Sequence, residues 1–103
     1  MNNEQLEQEI CSKNLTAPRV TLKDLEENIV DIEIVKHVSK GGQVLRWAVI
    51  TPKNGYAVVG DASCSVSSAN DNQEIGEKIA IDNSKKELWP LMGYELKSKL
   101  ANQ

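Results

Sequence analysis

The sequence predicts an α+β fold: a three-stranded antiparallel meander packed against a long C-terminal helix, with short helices ahead of the sheet. Three observations carry this. The hydrophobic period changes from 3.6 to 2 at Val30. Glycine-bearing turns at Lys40-Gly41-Gly42-Gln43 and Pro52-Lys53-Asn54-Gly55 divide the stretch from Val30 to Gly60 into three runs. From Asp71 a capped helical pattern then continues to Pro90.

Residues 3–13 carry Leu6 and Ile10 at i, i+4, which suits a short amphipathic helix. So narrow an apolar stripe gives it little to dock with, so residues 1–16 are expected to fray apart from a single domain over 17–103. Pro18 biases Ala17 away from the α region and makes 17–20 an extended connector. Thr21 and Asp24 stand at capping-box spacing, with Asp24 as an acidic N3 partner. Leu22, Leu25 and Ile29 share one face of a helix expected over 22–29.

In the first strand Ile32, Ile34 and Val38 fall on one face, with Glu33, Val35 and His37 on the other. Lys36 interrupts the apolar face, which marks an edge strand. Val44 to Thr51 is apolar on both faces and reads as the central strand. Tyr56 to Gly60 is the third. Asp61 to Asn70 is a loop rich in Ser, Ala and Asn. Asp71 is the expected N-cap of the long helix, with Glu74 at the box position. That helix should place Ile75, Ile79, Ala80 and Leu88 inward and stop or kink after Leu88 or Trp89, because Pro90 lacks an N–H and clashes with the preceding turn. A last short helix is expected over Tyr94–Leu100. Trp47 and Trp89 are the expected large aromatics of the core. Arg46 alternates with Trp47, so at most one of the two faces the helix layer.

At 103 residues the chain is one domain with one modest core. With 26% charged and 40% hydrophobic residues it is ordinary globular material. No stretch has the length of a membrane span, and the first residues lack the pattern of a signal peptide, so the expected location is the cytoplasm. A net charge of −3 argues against generic DNA binding, which needs clustered cations on phosphate. Arg46, Lys53, Lys85, Lys86, Lys97 and Lys99 could still form a local basic patch. Cys11 and Cys64 with one histidine make a closed zinc site improbable, and a reducing compartment keeps both thiols free. No cofactor is implied.

Nothing in the sequence composes an active site. His37 stands alone in a strand, and no spacing brings it to Ser63 or Cys64. Gly41-Gly42 is too short to cradle phosphates and does not precede a helix. The expected class is therefore a non-catalytic binding protein. Its candidate binding residues are Arg19, Arg46, Trp47, Lys53, Asn54 and Tyr56, an aromatic and basic set able to stack on a ligand and meet its charge.

Three longer stretches resemble one family: Trp47 to Tyr56 with Gly60 and Cys64, Ile75 to Ala80, and Leu88 to Leu96. With Ala17 to Thr21 the resemblance spans about residues 17–100, most of the chain. They are similar to the Gp-forty-nine-like family of small tailed-phage proteins, although Asn70-Asp71-Asn72 lacks the aromatic that this family tends to carry before the long helix. The resemblance implies a phage accessory protein acting in the host cytoplasm and transfers no catalytic residue. Its expected partner is a host bacterial protein, as in an inhibitor of host defence or host machinery. Two alternatives stand beside it: a homo-oligomeric module that sequesters a nucleotide signal, and a nucleic-acid-binding protein.

Overall fold

The computed structural model describes residues 4–6, 8 and 17–103. Glu4–Leu6 and Gln8 are helical, and the rest of the helix expected over 3–13 lies outside the described residues. Helix α1, Leu22–Glu27, is closed by the expected capping box: Asp24 N donates to Thr21 Oγ1, and Thr21 N donates to Asp24 Oδ2, both at 3.0 Å. It ends before Ile29, which already belongs to the sheet.

Strand β1, Ile29–Val38, pairs antiparallel with β2, Val44–Pro52, with a register irregularity at Val30. Gly42 at φ +88 and Gly55 at φ +84 supply the left-handed positions of the two turns. The outer neighbour of β2 is broken in two: β3, Val58–Val59, opposite Ile50 and Val49, and β4, Ser63–Ser65, opposite Arg46, Leu45 and Val44. From Val59 to Ser63 the outer chain takes four steps while β2 takes three, so one extra residue is absorbed, as in a β-bulge. The bulge resets the alternation, so that Val58 and Ser63 both face the helix layer and both are buried. The third strand is thus shorter than expected, and the segment expected as a loop contributes β4.

Helix α2, Gln73–Ala101, runs for 29 residues, about 43 Å at 1.5 Å per residue. Three expectations are corrected here. Asn72 is the N-cap, its Oδ1 accepting from Ile75 N, because the Asp71 carboxylate is engaged elsewhere. Pro90 does not end the helix, and Tyr94–Leu100 is its continuation. Pro90 and Lys86, whose carbonyl loses its helical donor, both lie on an exposed face where water can reach that carbonyl. The buried stripe is Ala80, Ser84 and Leu88, while Ile75 and Ile79 are exposed, contrary to their expected inward orientation.

Both helices lie on one face of the sheet. Leu25 of α1, Ile50, Val58 and Leu88 form the core, with Leu22, Ile29, Trp89 and Met92 against it. Trp89 is there as expected and Trp47 is not. On β2 the residues facing the helices are Val44, Arg46, Ala48, Ile50 and Pro52, all buried; Trp47 points the other way.

Candidate functional site

Arg46 is the first surprise of placement. Its side chain is only 5% exposed and forks onto Asp71, Nη1 to Oδ1 at 2.6 Å and Nη2 to Oδ2 at 2.8 Å. A two-point guanidinium–carboxylate contact is among the stronger polar pairings. The hydrogen bonds from Arg46 hold the Asp71 carboxyl below its usual range, and Lys36 nearby adds to the effect; Asp71 in turn raises the Arg46 guanidinium. Around this pair the helix sits close. A side chain at Gly76 would meet Arg46 Nη1 at 2.8 Å, and Ser63 Oγ donates to the Gly76 carbonyl at 2.7 Å. Arg46 thus ties the sheet to the segment that leads into the helix, and with Ser63, Asp71 and Gly76 it lines a cleft of about 290 Å³.

Farther along α2, Ser84 closes the gap left by the bulge. Its hydroxyl donates to the Ala48 carbonyl at 2.6 Å and accepts from Gly60 N at 2.9 Å. Continued from β3, the register would set Gly60 opposite Ala48. The hydroxyl therefore stands where a strand-to-strand bond would have been. The approach is tight: a Cβ on Gly60 would lie 2.3 Å from the Asn83 carbonyl oxygen of the helix.

The remaining candidates divide among separate places. Lys53, Asn54 and Tyr56 share the β2–β3 turn, where Asn54 Oδ1 accepts from Tyr56 N and Lys53 N donates to Asn28 O. Asn54 and Tyr56 line a cleft of about 190 Å³, closed on the helix side by Leu88, Leu91, Met92 and Glu95. Arg19 precedes α1, and its charge helps the capping box keep the Asp24 carboxyl below its usual range. Trp47 is on the far face of the sheet. The six residues therefore do not form one site. The basic patch is also reduced, since Lys85 pairs with Glu26 at 2.8 Å and Lys99 with Glu95 at 3.2 Å.

The far face of the sheet is not recognisable from the sequence. Register places Val35 beside Trp47, Glu33 beside Val49, His37 beside Leu45, and Val59 and Cys64 on the outer side. Val35, Leu45, Trp47, Val49 and Val59 form an apolar strip on this face, with Val35 and Val59 exposed and Leu45, Trp47 and Val49 half-buried. Its one signal is the double-sided apolarity of Val44 to Thr51, which also fits a strand covered on both faces. His37 and Cys64 share this face in one row with Leu45 between them. Two strand spacings, roughly 10 Å, keep them from forming a nucleophile–base pair. Among the described residues no group of His, Cys, Asp and Glu is arranged to hold a metal, and no helix is long and apolar enough to cross a membrane.

The fold and this surface define a small two-layer α+β protein with one sheet face covered by helices and the other open. The chain belongs to the phage protein (N4 Gp49/phage Sf6 gene 66) family, whose model matches residues 20–100. No curated protein and no solved structure matches it.

Proposed function

We propose that this phage protein is a non-catalytic binding module that engages a host bacterial protein through the open face of its sheet. The observation that carries the reading is the uncovered strip of Val35, Leu45, Trp47, Val49 and Val59. Its outer residues Val35 and Val59 are exposed and the central ones half-buried, and contiguous apolar surface of this kind on a small domain often marks an interaction site. Trp47 lies at its centre, where a large, rigid aromatic serves as an anchor for binding. Asp31 and Glu33 border one end, so the matching partner offers an apolar surface with a basic rim. Modulation of a host defence or other host machinery would follow from occupying such a surface.

The test places a photocrosslinking residue at Val59 on the open face and, separately, at Lys86 on exposed helix. The expected result is a discrete adduct with one bacterial protein from Val59 only, lost when Trp47→Ala is added to a chain that keeps its circular dichroism. Equal adducts from both positions, or adducts indifferent to Trp47→Ala, would sink the reading.

The runner-up, capture of a small ligand, finds its place in the cleft beside Asn54 and Tyr56. Glu95 on its wall disfavours a phosphate, and neither Arg19 nor Arg46 reaches it.

A further inference from the structure

Among the described residues strand β1 ends the sheet with no strand beyond it, although it is ten residues long and exposed over most of its length. A long, unpaired edge is a ready template for another strand. Ser39 N donates to Gln43 O at 2.8 Å, which extends the β1–β2 ladder one step past Val38↔Val44. Antiparallel ladders alternate residues that bond inward with residues that bond outward. The odd positions of β1 therefore bond to β2, and the even positions Ile32, Ile34, Lys36 and Val38 turn their backbone groups off the edge; of these the Ile32 N–H is held by Asp31 Oδ1 at 3.0 Å, a bond that a partner strand has to displace. Helix α2 lies mainly over β2 to β4, so among the described elements it leaves the approach to this edge open.

We infer that β1 pairs with β1 of a second copy of this chain, antiparallel about a two-fold axis through Val35 and perpendicular to the sheet. In that register Ile34 bonds opposite Lys36 of the second copy, and Ile32 opposite Val38 once the Ile32 N–H leaves the Asp31 carboxylate. On the open face Val35 meets its own counterpart, and Glu33 stands beside His37 of the second copy. Charge selects the register. Moving the axis to residue 33 sets Glu33 against Glu33, and moving it to residue 36 sets Lys36 against Lys36; like charges directly opposite are unfavourable. An axis at Ile34 runs the pairing into the irregularity at Val30. The two-fold places the helices of both copies on one side and joins the two open faces into a single sheet surface on the other. This pairing stands on the edge strand alone and does not depend on the open-face reading.

The experiment is sedimentation equilibrium of the full chain, joined to cysteine crosslinking in a Cys11→Ser/Cys64→Ser background. The expected species has twice the 11.4 kDa chain mass. Val35→Cys should form an intermolecular disulfide on oxidation, since facing residues at a non-hydrogen-bonded pair lie about 4.5 Å apart at Cα. His37→Glu should weaken the dimer about tenfold by placing like charges opposite one another twice per two-fold. Glu33→Lys added to His37→Glu should restore it. Both charge variants are at exposed positions, so folding is not at stake. A monomeric wild-type chain overturns the inference. So does a dimer that ignores His37→Glu and gives no Val35→Cys crosslink, which would place the contact elsewhere.

Discussion

The two ends of the helix–sheet interface are built from different materials. Near α1, helix α2 meets the sheet through Leu88, with Leu25, Ile50 and Val58 around it. Near its own N-terminus the same helix offers Gly76, Ala80 and Ser84 and is fastened by hydrogen bonds and one ion pair. These four positions succeed one another at i+4, a single stripe that grows from no side chain to leucine. Apolar contact tolerates some sliding, because it is non-directional. Polar contact at van der Waals distance does not, since each donor has one acceptor in reach. The apolar end supplies cohesion, and the polar end fixes where the helix lies.

The largest effect that separates the ends is Leu88→Ala, expected to cost about 4 kcal/mol in chemical denaturation through lost burial and the cavity left behind. A cost below about 1 kcal/mol would mean that the apolar end is not the main source of cohesion. Next is Gly60→Ala, expected to cost about 3 kcal/mol, because the new methyl meets helix backbone that must move. A neutral outcome would show the helix free to lift there. Ser84→Ala should cost about 2 kcal/mol by leaving the Gly60 N–H and the Ala48 carbonyl without their shared partner.

The smallest difference is one of pH. Because Arg46 depresses the Asp71 carboxyl, the folded state binds that proton more weakly than the unfolded chain. The resulting stability is present above the ordinary aspartate range and is lost as pH falls through the lowered folded value. Thermal melts of wild type and Asp71→Asn should therefore differ at neutral pH and converge in strong acid. The Asp24 capping box has the same sign, and Asp24→Asn in the same melts separates its share. Leu88→Ala should shift the whole pH profile without changing its shape.

The features legible in the sequence are local ones. Thr21 and Asp24 are three residues apart, and their reciprocal bonds need nothing beyond that spacing. The turns at Gly42 and Gly55 and the edge position of β1 come from short-range pattern in the same way. The features that escape it are set by partners distant in sequence. Arg46 finds Asp71 25 residues on, so a residue with the look of a ligand contact becomes an internal tie, and Asp71 is drawn away from capping. Pro90 carries a strong stop signal. A helix already nucleated and docked on both sides of Trp89 can absorb one missing bond on its wet face. Strand β4 is written in Ser63-Cys64-Ser65, which has little strand preference of its own and is held by β2 and the helix. The candidate surface is legible in composition but not in location. Trp47 stands out in the sequence as a large aromatic, and only the buried alternation of Arg46, Ala48 and Ile50 reveals which way it points.

The hydroxyl of Ser84 gives this sheet a bond that belongs to neither of its strands. Amide exchange at Gly60 should therefore report on the helix: its proton becomes available to solvent when Ser84 withdraws, even if β2 and β3 stay paired. Opening of the helix and release of that one strand amide become a single kinetic event, visible as matched exchange rates at Gly60 and in the turns of α2 around Ser84.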